Sequence, residues 1–172
     1  MNDVQIANED LGHIEQITGY VKATLTRRLD HPAVKVWAML TESSHIKDWL
    51  APGEIELTKG GRAKLNFGDS GIIIDSEVSE CETNQLLEYS WSNSKDEPRR
   101  PIRWSLEPES SGTKLTLTIK IPEDEVVDRS CAGWEAHLTM LQAAIEGVPI
   151  KFPFEHFQES RAGYKKLLGI EA

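Results

Sequence analysis

The chain has 172 residues, 39% apolar and 27% charged, which is the length of one domain with a sizeable buried core. Nineteen Lys and Arg stand against 28 Asp and Glu, and the net charge of −9 repels phosphate backbones and anionic lipid, so nucleic acid and membrane are excluded as default partners. Two cysteines, Cys81 and Cys131, are too few for a disulfide scaffold, no apolar run nears the ~20 residues of a membrane span, and the acidic start (Asp3, Glu9, Asp10, Glu15) is unlike a secretion signal; a cytoplasmic setting is expected. Residues 1–17 read as a loosely ordered polar arm and 18–172 as the folded domain. From Tyr20, Val21, Ala23 and Leu25 alternate with Lys22, Thr24 and Thr26, the pattern of a half-buried strand. It ends at Asp30-His31-Pro32, where proline suits a first helical turn. Ala33, Val36, Trp37 and Leu40 then predict a short helix, and a second covers Ser43 to Leu50 with Ser43 or Ser44 as its cap.

Between residues 54 and 121 the pattern is that of successive antiparallel strands. Glu54 to Leu57, then Ala63, Leu65 and Phe67, alternate around a Gly60-Gly61 turn, and Gly68 to Gly71 is turn chemistry. Ile72 to Glu80 is strand-like with an ambiguous register. Leu87-x-Tyr89-x-Trp91, Ile102-x-Trp104-x-Leu106 and Leu115-x-Leu117-x-Ile119-x-Ile121 carry the clearest period of two. Val127, Cys131, Trp134, Leu138, Leu141 and Ile145 then form one apolar stripe on a helix of about five turns, stopped by Gly147 and Pro149. A less regular helix runs from about Pro153 to Leu168.

This order predicts an α+β fold: a curved antiparallel sheet of six to seven strands wrapped around a long C-terminal helix, with two short helices after the first strand. A gap of roughly 300 Å³ or more between sheet and helix would hold a small molecule, whereas a filled core would not. Val36-Trp37-x-x-Leu40-Thr41, Trp49, Pro52, Gly60-Gly61, the Leu87-x-Tyr89-x-Trp91 strand and Gly133-Trp134-x-x-His137-Leu138-x-x-Leu141 with Gly147 together resemble the START-like (SRPBCC, helix-grip) superfamily. Within it they are most similar to the activator of heat-shock-protein-90 ATPase homologue-like family, over about residues 18 to 168. The resemblance implies a hydrophobic cavity between sheet and last helix. It also implies relatives of several roles, from co-chaperone domains to lipid carriers and polyketide cyclases, so activity does not follow from it.

The expected function is binding of a small hydrophobic or amphipathic molecule in that cavity. Its lining is expected from Trp134, Leu138 and Leu141 on the helix and Phe67, Trp91 and Trp104 on the sheet, with His137 supplying one polar contact near working pH. A cyclase- or dehydratase-type enzyme using the same cavity is the less favoured reading, because His137 has no evident polar partner to complete a catalytic pair. A protein-interaction module, chaperone-linked or regulatory, with an exposed patch at Phe152, Phe154 and Phe157 is the other, and a homodimer belongs with it. Arg103 and Glu88 point outward by strand parity and read as cross-strand surface charges; Asp75 and Glu77 carry the same reading. The five histidines are scattered, with no His-x-x-x-His or Cys-x-x-Cys spacing, so neither metal nor cofactor is expected. Lys95, Arg99, Arg100 and Arg103, diluted by Asp96 and Glu97, read as a solvated hairpin tip.

Overall fold

Alternation of apolar and polar residues builds most of this molecule, and the pairing of the strands follows from it. A computed structural model describes residues 11–93 and 99–170. Residues 1–10 of the expected arm, and Lys95, Asp96 and Glu97 of the expected hairpin tip, lie outside the described residues. The chain runs β1 (His13–Ile17), β2 (Tyr20–Leu29), α1 (Ala33–Thr41), α2 (Ser43–Ile46), β3 (Gly53–Ile55), β4 (Arg62–Asn66), β5 (Ile73–Glu82), β6 (Leu86–Ser90), β7 (Pro101–Glu109), β8 (Gly112–Pro122), α3 (Val127–Ile145) and α4 (Phe154–Leu168). The strands form one antiparallel sheet in the order β1-β2-β8-β7-β6-β5-β4-β3.

Period-two alternation places whole rows of side chains on one face. Ala23, Ile119, Ile102, Tyr89 and Val78 are successive cross-strand partners, as are Leu25, Leu117, Trp104 and Leu87, and all nine are buried. The α3 stripe supplies the matching surface: Val127, Cys131, Trp134, Leu138, Leu141 and Ile145 are buried in the same core. Helix α3 ends in a Schellman arrangement. Gly147, at φ +83°, donates from its N–H to Ala144 O (2.9 Å), and Val148 N–H reaches back to Ala143 O (3.1 Å).

Three expectations are corrected. The sheet has eight strands rather than six to seven, because residues 13–17, read as part of the loose arm, form edge strand β1 against β2. Backbone pairing carries that strand: its side chains are mostly exposed, so no apolar period marks it. Helix α2 stops at Ile46 instead of Leu50, and Glu42, not Ser43 or Ser44, occupies its N-cap position. Residues 47–50 continue as hydrogen-bonded turns, with the Leu50 N–H donating to Ile46 O at 2.8 Å.

One polar cluster sits inside this apolar frame. Glu135 of α3, 2% exposed, accepts hydrogen bonds from Arg27 of β2 and from the Tyr164 hydroxyl of α4. The Tyr164 oxygen in turn accepts from the Gly12 N–H at 2.7 Å. Burial and the Glu135 carboxylate both push the Tyr164 phenol pKa upward, so it stays protonated and keeps its donor role. Nearby, Arg161 of α4 donates to Asp128 of α3 at 2.7 Å. These bonds attach α4 to the rest of the fold, and α4 in turn completes the wall described next. Among the described residues no helix is long and apolar enough to cross a membrane.

Candidate functional site

Residues 130, 133, 134 and 137 of α3 fall at helical spacing on one side of the helix, and this side faces an opening near the end of the sheet. Phe67 at the end of β4, Ile72 before β5, Trp91 after β6 and Phe157 of α4 close the other walls. Together with Arg129, Ser130, Gly133, Trp134 and His137 they line a pocket of about 240 Å³ that opens to solvent; it is smaller than the gap of roughly 300 Å³ expected, and it lies at the edge of the seam between sheet and α3, which Trp104, Leu138 and Leu141 fill.

Four rings form a closed circuit around it. Phe67 meets Trp91 at 5.6 Å between centroids, Trp91 meets Trp134 at 4.8 Å, Trp134 meets His137 at 6.0 Å, and His137 returns to Phe67 at 6.2 Å. Most of these contacts are edge-to-face, the arrangement that aromatic quadrupoles favour. Behind the circuit, Trp104 packs edge-on against Trp134 (5.8 Å), and Trp49 against Trp104 (5.7 Å). The result is a stiff apolar wall with a few polar groups at its edge.

His137 is oriented by the backbone. Its Nδ1–H donates to the carbonyl of Trp49 at 2.9 Å, while Trp49 is itself held by Nε1–H donation to Met39 O at 2.7 Å. With Nδ1 carrying the proton, Nε2 of the neutral ring is an acceptor. Burial lowers the His137 pKa below its ordinary 6.5, and the Trp49 carbonyl opposes this only in part. The pH dependence has a definite sign. Above 6.5 the imidazole is neutral folded or unfolded; on acidification the unfolded chain takes up a proton that the folded chain resists. Stability supplied by His137 is therefore lost as pH falls from 6.5 through the lower folded value. Urea unfolding at about pH 7.5 and about pH 5.5 will show a larger acid loss in the wild type than in His137→Gln.

The expected site residues divide in two. Phe67, Trp91, Trp134 and His137 come together around the pocket. Trp104, Leu138 and Leu141 do not line it: they are 1%, 1% and 0% exposed and pack inside the core. The parity argument places Glu88 and Arg103 opposite each other on β6 and β7, where Arg103 Nη1 donates to Glu88 Oε2 at 3.1 Å, away from the pocket. Asp75 pairs with Arg62, which holds its carboxyl pKa below the ordinary carboxylate value. Burial pushes the Cys131 thiol up to about 12, which makes it a packing group rather than a nucleophile.

Ile72, Arg129, Ser130, Gly133 and Phe157 were not on the expected lining. Helical spacing from Trp134 and His137 reaches Ser130 and Gly133 directly, so that signal was available; Ile72 and Phe157 arrive from distant segments that only tertiary structure joins. Ser130 and His137 stand two turns apart on one helix, about 10 Å along its axis, too far for a nucleophile–base hydrogen bond. A larger groove of about 830 Å³ follows α4 along Phe154, Phe157, Arg161, Lys165, Lys166 and Ile170. Among the described residues only α4 and Ile170 wall it, so a small molecule there would stay uncovered on its other side.

Comparison with known proteins identifies the family and the fold. Residues 30–146 match the family model described as Activator of Hsp90 ATPase homolog 1-like protein, a span that includes every pocket residue except Phe157. No curated protein matches the chain. Among solved structures, EF2215 from Enterococcus faecalis, a conserved protein of unknown function, is 18% identical with a TM-score of 0.76, over 94% of this chain and 92% of that one. CalU16 from Micromonospora echinospora is 22% identical with a TM-score of 0.72, over 91% and 95%. DynU16, of the dynemicin biosynthetic locus, is 25% identical with a TM-score of 0.67; the alignment covers 74% of this chain and 48% of that longer one. With well over half its length matched, the chain belongs to the Activator of Hsp90 ATPase homolog 1-like family, and its α+β architecture is the START-like helix-grip fold.

Proposed function

We propose that the protein binds a small hydrophobic or amphipathic molecule in the pocket ringed by Phe67, Trp91, Trp134 and His137. Gly133 is the observation that carries this reading. A glycine inside a helix lowers stability by roughly 0.5–1 kcal/mol relative to alanine, so it needs a local reason. Gly133 has none in the fold: its φ is not positive, and a Cβ built there would meet no atom within 4 Å. What the absent side chain does is keep open the floor of an aromatic pocket between Trp134 and Arg129. The residue thus favours an occupant over the stability of the empty chain. The dynemicin setting of DynU16 is consistent with small-molecule work by this fold.

Two substitutions at this position test the reading. Gly133→Ala will raise unfolding stability by about 0.5–1 kcal/mol, seen in urea denaturation followed by circular dichroism. Gly133→Leu will retain the fold and abolish saturable binding of the neutral aromatic probe 2-naphthamide, measured by titration calorimetry. Unchanged binding in Gly133→Leu, or no saturable binding by the wild type, sinks the proposal.

One observation favours a second reading, a docking surface for a protein partner. Phe152 and Phe154 are 40% and 60% exposed, and with Phe157 they form a mutually packed trio at 5.6–6.4 Å between ring centroids. Gly133→Leu leaves these exposed rings in place, so loss of probe binding in that variant separates the pocket from this surface.

A further inference from the structure

Two acids lie beside Arg129 in sequence, and each is already matched to another arginine. Glu125 accepts from Arg100 Nε at 3.0 and 2.8 Å through its two oxygens, and Asp128 accepts from Arg161 at 2.7 Å. Arg129 is exposed, lines the pocket, and forms no ion pair or hydrogen bond among the described residues. It stands in the first turn of α3, where the helix dipole is already positive and a cation is unfavourable. The fold therefore gains nothing evident from this charge. The pocket gains a directional donor: an arginine with a planar guanidinium in the lining of an aromatic opening.

Every other lining residue is uncharged near pH 7, His137 included, because burial keeps its imidazole neutral. The lining is thus cationic in a chain whose net charge is −9. An acidic surface repels anions in bulk, and an unmatched arginine at this apolar opening runs against that average.

We propose that the ligand is an amphipathic anion: a small aromatic or cyclic body against the Phe67–Trp91–Trp134–His137 circuit, with a carboxylate paired to Arg129. This rests on the pocket reading above. Arginine pairs with carboxylate through two parallel N–H donations, which fixes orientation as well as sign. Nε2 of His137 remains an acceptor and suits a hydroxyl donor on the ligand body.

The test uses two near-isosteric probes, 2-naphthoate and uncharged 2-naphthamide, titrated calorimetrically into the full chain and into Arg129→Gln. Arg129 has no partner to lose, so the variant will fold as the wild type does. The wild type will bind 2-naphthoate about fivefold more tightly than 2-naphthamide, the size expected for one partly exposed ion pair. In Arg129→Gln that preference will vanish, the two probes binding that variant about equally, and added salt will weaken only the naphthoate complex of the wild type. Equal affinities in the wild type, or a preference that survives in Arg129→Gln, overturn the anionic assignment. If 2-naphthamide binds and Gly133→Leu blocks it, the pocket reading stands even when the anion preference fails; if neither probe binds, both readings fall.

Discussion

Glu135→Ala will destabilise the fold by about 3 kcal/mol, because removing one member of a buried, hydrogen-bonded charge pair strands the other. The carboxylate sits where α3, α4 and β2 meet, taking bonds from Arg27 and Tyr164. Alanine leaves the Arg27 guanidinium, 17% exposed, without its counter-charge and the Tyr164 hydroxyl without its acceptor. For a chain of this length such a loss lowers Tm by about 10 °C. Glu135→Gln keeps a carbonyl acceptor and will lose less than alanine does. Thermal unfolding of the two variants beside the wild type checks this; an alanine variant within about 1 kcal/mol of wild type would mean the cluster is solvated and does not anchor α4.

Trp104→Ala will be as damaging, at about 4 kcal/mol, since a fully enclosed indole leaves a cavity that the surrounding sheet cannot close. Trp104 is 1% exposed, wedged between Trp49 and Trp134. Trp91 gives the contrasting result. It is half-buried at the pocket rim, so Trp91→Ala will lose less than half as much stability, yet it removes a wall of the pocket and will weaken 2-naphthamide binding. Urea denaturation followed by circular dichroism, paired with calorimetric titration, separates the two effects. Equal stability losses at both positions would erase the division between core and pocket wall.

The family name describes ancestry and says nothing direct about chemistry here. What bears on function is local: a glycine and an arginine on α3 that the fold itself does not need, both facing the same aromatic opening. In the proposed complex the apolar body lies on the ring circuit and the charge points outward at Arg129.

Most of the architecture was legible in the residues alone. Period-two alternation marked β2, β6, β7 and β8, and the 4-3-4-3-4 stripe of α3 marked the helix they pack against, because burial on one face imposes its own spacing on a chain. Edge strand β1 was illegible for the converse reason: it buries little, its backbone supplies the pairing, and backbone hydrogen bonds leave no trace in side-chain identity. The site was half legible. Strand parity names Trp91 and Trp104, and the helical stripe names Trp134, since periodicity tells which face a residue occupies and not whether the space before it is filled. Only the packing of the β4–β5 connection and α4 around α3 decides that Trp104 is sealed in the core while Trp91 and Trp134 border an opening. The same holds for charge: neighbours in sequence suggested nothing special about Arg129, and it took the three-dimensional matching of Glu125 to Arg100 and Asp128 to Arg161 to leave that guanidinium without an ion pair among the described residues, since ion pairing depends on distances through space that a linear order of residues does not specify.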